Sequence, residues 1–198
     1  MELCALTVTI VSCNDRIMTE RRKQLRGAAL EYLVEHGVAK FSLRPLAAKL
    51  GTSPRILMFH FRSKEGLLLD VLEELNARLQ ASFKMIAEAD IGRGRKSPIQ
   101  LFWKWAATEK NFRYLRLLYE VQIIAIQNPT EYGRYLRKSS FDWLAAAMQA
   151  TSEPLRSESM ATLCIAVFDG LFLELMSTGD RNRLTKALNL FVSMATKV

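Results

Sequence analysis

Apolar residues recur along this chain at intervals of three and four, and no alternating strand pattern appears after residue 12, so helices are predicted throughout. Leu25, Ala28, Ala29, Tyr32 and Leu33 form a stripe on a first helix that Thr19 would cap and Gly37 would stop. Ser42 would cap a short second helix, which tolerates Pro45 because first-turn amides have no acceptor within the helix; it runs to Leu50 and stops at Gly51. A third short helix is predicted from Ser53 or Pro54 to about Phe61. Ser63 would then cap a long fourth one through "KEGLLLDVLEELNARLQASFKMIAEA". The stretch "DIGRGRKSP" breaks the period with two glycines and three basic residues and is the best candidate for a flexible connection. Ser97-Pro98 is a helix start, cap followed by proline, and further starts are expected at Asn111, at Thr130 after Asn128-Pro129, near Ser157 after Pro154, and at Asp180 after Gly179. The expected class is all-α.

Composition narrows the partners. The chain has 198 residues and 49% hydrophobic content, enough for a substantial core. Lys and Arg outnumber Asp and Glu by 28 to 20, and the excess is uneven: residues 16 to 66 hold eleven basic residues against four acids. Such a balance favours DNA, RNA or an anionic surface. Cys4, Cys13 and Cys164 fit neither a disulfide framework nor a zinc site, which points to a reducing cytoplasm. "MELCALTVTIVSC" is apolar but carries Glu2 where a signal peptide needs a basic region, so residues 1–17 are expected to form an arm whose deletion leaves folding intact. Later apolar runs are broken by Glu120, Asp169 and Glu174, and no membrane span is expected. The two histidines lie far apart, no Cys-His group occurs, and "GRGRKS" lacks the spacing of a phosphate loop, so no enzyme, metal site or cofactor is expected.

One stretch, "LAAKLGTSPRILMFHFRSKEGLL", carries a more specific pattern. Two short helices that cross steeply must bring their backbones together at the turn, which calls for a small residue such as Ala47. A reversal within about three residues then favours positive φ, which Gly51 supplies four positions later. Leu46, Leu50 and Leu57 fall where they can close the core between the two. Between Lys40 and Lys64 stand six basic residues (Lys40, Arg44, Lys49, Arg55, Arg62, Lys64) and no acid, where a plain solvated face would mix signs. Together these predict a helix-turn-helix whose second helix enters the major groove. The basic run Arg21, Arg22, Lys23, Arg26 opposes the dipole of its own helix and reads either as a solvated face or as a phosphate-contacting edge.

From Leu25 to Leu68 the chain resembles the DNA-binding region of TetR-type transcriptional regulators. Ser42, Leu46, Ala47, Gly51, Ser53, Leu57, Phe59, His60, Phe61, Lys64, Glu65 and Leu67 match its pattern of cap, small residue, turn glycine and aromatic-His-Phe ending. The resemblance implies residues 18–64 as the DNA-binding domain and residues 65–198 as a helical effector-binding and dimerisation domain. It implies phosphate contacts from Ser42, Arg44 and Lys64, base contacts from Thr52, Ser53 and Ile56, and a recognition helix ending in Phe59 and His60, although His60 also reads as a helix-junction residue. Two positions depart from the pattern: Arg55 stands where glycine is common, and Met58 where a tyrosine hydroxyl typically reaches a phosphate. Arg55 is read as a guanine contact, since its fork suits O6 and N7 together. His36, beside Gly37, reads as a partner for the carboxyl end of its helix.

In the larger part, Ala166, Val167, Gly170 and Leu171 and then Leu184, Ala187, Leu188 and Phe191 form stripes at helical spacing. The resemblance implies a four-helix dimer interface there; an ordinary internal core is the competing reading. Residues 101 to 148 are rich in wide apolar groups, including Phe102 and Trp105, and the resemblance puts an inducer site in this domain. Its expected lining is Trp103, Phe112, Tyr119, Glu120, Gln122, Trp143, Phe168 and Asp169. The function expected is a ligand-responsive repressor binding a palindromic operator as a homodimer, with double-stranded DNA, itself and a small molecule as partners, and helix four as the lever between domains. The alternative is a helical adaptor or membrane-surface protein.

Overall fold

The computed structural model describes residues 2–39, 41–89, 97–151 and 156–196, with backbone alone for 2–15. Among the described residues every regular element is a helix: α1 (Glu2–His36), α2 (Leu43–Lys49), α3 (Pro54–Phe61), α4 (Lys64–Ala89), α5 (Pro98–Ala106), α6 (Glu109–Gln127), α7 (Pro129–Ala150), α8 (Glu158–Thr178) and α9 (Arg181–Ala195). They divide into two compact units, Met1–Glu74 and Leu75–Val198.

In the first unit α1 extends further back than its apolar stripe predicts. No glycine or proline stands between Glu2 and Arg26 to stop it, so the expected arm is helical backbone continuous with the rest, and Thr19 lies inside the helix instead of capping it. The buried stripe is Leu25, Ala29, Leu30 and Leu33; Ala28, expected in it, is exposed. At the other end, His36 Nδ1 donates to the Tyr32 carbonyl one turn back at 2.9 Å and the two rings stack at 4.3 Å, which ties the His36 side chain to the last turn. The first half of α4 packs into this unit through Leu67, Leu68, Val71 and Leu72. This compact unit runs to Glu74, ten residues into the helix that starts at Lys64.

Its basic run turns partly inward. Arg22 makes a two-pronged contact with Asp70, Nε to Oδ2 at 2.9 Å and an Nη to Oδ1 at 2.7 Å, and Arg26 pairs with Glu74 at 2.7 Å. Fork-on-carboxylate geometry of this kind fixes direction as well as distance. These two arginines fasten α1 to α4, and because α1 begins at Glu2 they lie well inside the helix, away from the first turn where its dipole would oppose them.

In the second unit α6 packs on α7, α7 on α8 and α8 on α9, with α5 against α6, α8 and α9. α6 begins two residues before the expected Asn111, whose amide instead donates to the Trp105 carbonyl at 2.9 Å. α7 begins at Pro129 behind Asn128. Ser157 and Asp180 cap α8 and α9 as predicted, accepting from Met160 N at 3.1 Å and Arg183 N at 3.0 Å. The expected connection at 90–96, Pro154 and Lys40 lie outside the described residues. By length and composition alone α8 could cross a membrane. It carries Phe168, Phe172 and Leu175 into the core of its own unit, burial worth roughly 1.5–3 kcal/mol for each such side chain.

Candidate functional site

The turn between α2 and α3 is built as its sequence demands. Ala47 is 1% exposed beneath it, Gly51 takes φ +61°, and Thr52 N donates to the Ala47 carbonyl at 2.9 Å to close the reversal. Ser53 then caps α3, its hydroxyl accepting from Ile56 N at 3.3 Å. Leu57 and Phe61 are the buried residues of α3, which packs on α2 and α1. What remains outside is Arg55, Ile56 at 43% exposure, Met58 at 42% and Phe59 at 68%. A helix that leaves three large apolar side chains and an arginine in water is shaped for a partner, because folding alone gains nothing from them.

Around this face the charge is positive. Ser42, Arg44, Lys49 and Arg55 are exposed, and Ser42 stands at the start of α2 with no cap bond from its hydroxyl. Lys64, in the first turn of α4, lies over the Phe41 ring at 5.3 Å, while Ser63 Oγ accepts from Gly66 N at 2.8 Å. His60 packs between Phe59 and Phe61 by its ring edges, and burial first, then Arg21 and Arg22, hold its imidazole below the ordinary value and hence neutral at pH 7. The Thr52 hydroxyl, expected at the bases, is enclosed without a hydrogen-bond partner.

Two features of this region carry no obvious signal in the sequence. Arg62 ends α3 with φ +68°, a conformation that favours glycine. Gly66 sits so close to the end of α3 that an added Cβ would stand 2.2 Å from the Phe61 carbonyl oxygen.

The second unit brings some of the expected effector residues together and separates others. Tyr119 of α6 donates its hydroxyl to Asp169 Oδ1 of α8 at 2.6 Å. Phe172 lies against Tyr119, Phe112 and Phe168, at ring distances of 5.4, 5.3 and 5.9 Å. Burial pushes the Tyr119 hydroxyl well above its ordinary value and raises the Asp169 carboxyl, the shared hydrogen bond only partly restoring the latter. Trp103 touches Phe168 but commits its indole N–H to Thr185 at 2.9 Å, and Trp143 commits its own to Asn76 at 2.7 Å. Glu120 pairs with Arg116 at 3.3 Å along one face of α6. Gln122 is half-buried.

α8 and α9 present a further apolar surface. Leu163, Ala166, Gly170 and Leu173 follow one side of α8 and Ala187, Leu190 and Met194 one side of α9, all exposed. Leu184 and Leu188, expected at a dimer interface, are 2% and 1% exposed and belong to the core of their own protomer; Val167, Leu171 and Phe191 are half-buried.

The sequence profile of bacterial regulatory proteins of the tetR family matches residues 25–71, the stretch that forms the last part of α1, the helix-turn-helix and the start of α4. Residues 25–71 therefore carry the DNA-binding region of the tetR family. The chain is 27% identical over 171 residues, 80% of its own length and 86% of the relative's, to the HTH-type nicotine-responsive transcriptional repressor HdnoR of Paenarthrobacter nicotinovorans. Among solved structures, a TetR-family transcriptional regulator from Pectobacterium atrosepticum superposes with a TM-score of 0.67 at 18% identity, covering 89% of this chain and 94% of that one. The multidrug binding protein EbrR, complexed with imidazole, superposes with a TM-score of 0.64 at 20% identity over 86% and 88%. In the second unit, sequence reasoning missed Phe172 and Asn76; the first stands beside the predicted stripe of Ala166, Val167, Gly170 and Leu171 without belonging to it, and the second has no signal that separates it from a solvated asparagine.

Proposed function

We propose that this chain is a TetR-type transcriptional repressor that binds a palindromic operator as a homodimer and leaves it when a small molecule occupies the α6–α8 region. The observation that supports operator reading is the outward row of α3. Arg55 reads a guanine, Ile56 meets a thymine methyl, and Ser42, Arg44 and Lys64 hold phosphates on either side. Phe59 and His60 end the row, with Phe59 the most exposed of its apolar members at 68%. Ser53 acts chiefly as the cap that sets the angle of α3 and contributes at most its hydroxyl hydrogen.

Pairing is supported by the uncovered apolar side of α8 and α9. A second copy of the same two helices covers it in a four-helix contact, and the pair presents two copies of α3 to half-sites about 34 to 36 Å apart or a multiple of that. Effector action follows from population shift: a ligand that prefers the non-binding spacing of the two heads releases DNA in proportion to that preference. α4, continuous from Lys64 to Ala89, carries the change.

The test is fluorescence anisotropy with genomic fragments and random duplex across a salt series, together with sedimentation equilibrium. The expected outcome is a dimer with a sequence preference at every salt concentration and a slope of log affinity against log salt near −0.9 for each phosphate held. Arg55→Ala should lose preference at a single base pair; an equal loss on all sequences would make Arg55 a phosphate contact. A monomer with no preference among duplexes refutes the proposal and leaves a helical adaptor.

A further inference from the structure

The outward side of α3 is poor in hydrogen-bonding groups. Leu57 and Phe61 set its buried side, and Phe59, two residues from each, falls on the opposite side of the helix, where it is 68% exposed. Arg55, one turn earlier, and Ile56 lie beside Phe59, and Met58 lies on its other flank; all three are exposed. The remaining polar side chains nearby are half-buried. The Thr52 hydroxyl is enclosed, the Ser53 oxygen accepts from Ile56 N at 3.3 Å, and His60 stands between the rings of Phe59 and Phe61. Arg55 is thus the exposed side chain of α3 that carries hydrogen-bond donors. An apolar side chain laid on the polar edge of a base pair displaces water and returns no hydrogen bond, which is costly. The apolar group that a base pair offers in the major groove is the 5-methyl of thymine. Phosphates are a poorer match, since they are met by cations and donors.

Resting on the operator reading above, we infer that α3 recognises its half-site chiefly through thymine methyl groups, with Phe59 at the centre of the contact, Ile56 and Met58 on its flanks, and Arg55 forking onto a single guanine beside them. The half-site is then a run of A·T pairs around one G·C pair, and what is read at the A·T pairs is the methyl itself. Cytosine methylated at the same ring carbon presents that methyl at the same edge and substitutes for thymine in part.

The full chain is used to select binders from a randomised duplex library. The recovered duplex is then compared by fluorescence anisotropy with copies in which single thymines become deoxyuridine, a change that removes the methyl and keeps the pairing. At least two positions in each half-site are expected to bind about fourfold more weakly when so replaced, the worth of one buried methyl. At those positions a 5-methylcytosine·guanine pair is expected to bind several-fold more tightly than a plain cytosine·guanine pair. Phe59→Ala, which alters an exposed side chain, is expected to lose the uracil effect at one position or more while keeping the parent's slope of log affinity against log salt, because no phosphate is given up. Three results overturn the inference while sparing the operator reading. One is a preferred half-site without thymine; another is a preferred duplex that binds equally well with every thymine replaced by deoxyuridine; the third is Phe59→Ala weakening thymine and uracil duplexes alike, which puts the ring against the backbone. If selection recovers no preferred sequence, the operator reading fails and the inference with it.

Discussion

Arg22→Ala and Asp70→Ala remove the two halves of one contact, yet they should not cost the same. Asp70 is 9% exposed and holds both prongs of the guanidinium, at 2.9 and 2.7 Å, while the Arg22 side chain is half exposed. Asp70 raises the Arg22 pKa, by hydrogen bonding more than by its field, opposed by burial. Fully buried pairs lose about 3–5 kcal/mol when one partner is deleted, and exposed pairs about 0–1. This one lies between. Arg22→Ala strands an enclosed carboxylate and also removes the guanidinium from over the Phe61 ring, 5.6 Å away, so about 2–3 kcal/mol is expected. Asp70→Ala frees an arginine that water can reach, for about 1–2 kcal/mol. Hydrogen exchange of the α1 amides reads the opening of the first unit by itself; a loss of 2 kcal/mol appears as roughly thirtyfold faster exchange. A double-mutant cycle should return a coupling of about 1–2 kcal/mol. Additive variants, or Asp70→Ala costing more than Arg22→Ala, would refute the reasoning. So would a loss of about 0.9 in the salt slope of DNA binding on Arg22→Ala, which would return that residue to the phosphate edge.

Gly66→Ala should cost more than Gly51→Ala. The first puts a methyl 2.2 Å from a backbone oxygen and costs about 2 kcal/mol or more, whereas the second meets open space and bears only its positive φ, about 1–2 kcal/mol; thermal melts that rank them the other way would contradict the geometry. Leu190→Glu on the uncovered side of α9 is expected to give monomer in sedimentation equilibrium without lowering helical content, while Leu188→Ala, 1% exposed, should lower stability by about 2–5 kcal/mol. An unchanged dimer in Leu190→Glu argues that α9 does not pair. Asp169 adds a pH dependence. Its folded pKa is raised above 3.8, so the native state holds the proton more tightly than the unfolded one and stability falls as pH rises through that window. Asp169→Asn should melt like the parent near pH 4 and above it at pH 7, and a variant less stable at pH 7 would show the carboxylate to be better compensated than its surroundings suggest.

The helix-turn-helix was legible because its determinants are local. Ala47, Gly51, Ser53 and Leu57 lie within eleven residues of one another, and each is required by backbone geometry that the sequence spacing already expresses. The helix caps Ser157 and Asp180 were legible for the same reason. Misreadings arose where two good local solutions compete: Thr19 can cap a helix but can also ride inside one, and nothing between Glu2 and Arg26 forbids the second. Gly66 looks like an idle glycine until the end of α3 is seen against it.

Charge, periodicity and the turn spacing of the sequence by itself determined an all-helical chain with a DNA-reading head at its amino-terminal end. Tertiary structure alone decided the assignment of like residues to unlike tasks. Arg22 meets Asp70 across 48 positions and Tyr119 meets Asp169 across 50, whereas Leu188 turns inward and Leu190 outward on the same short helix. Spacing along a helix tells which side chains share a face. Which neighbour that face meets, and whether water, a carboxylate or another chain lies opposite, depends on helix packing across distances that periodicity does not encode.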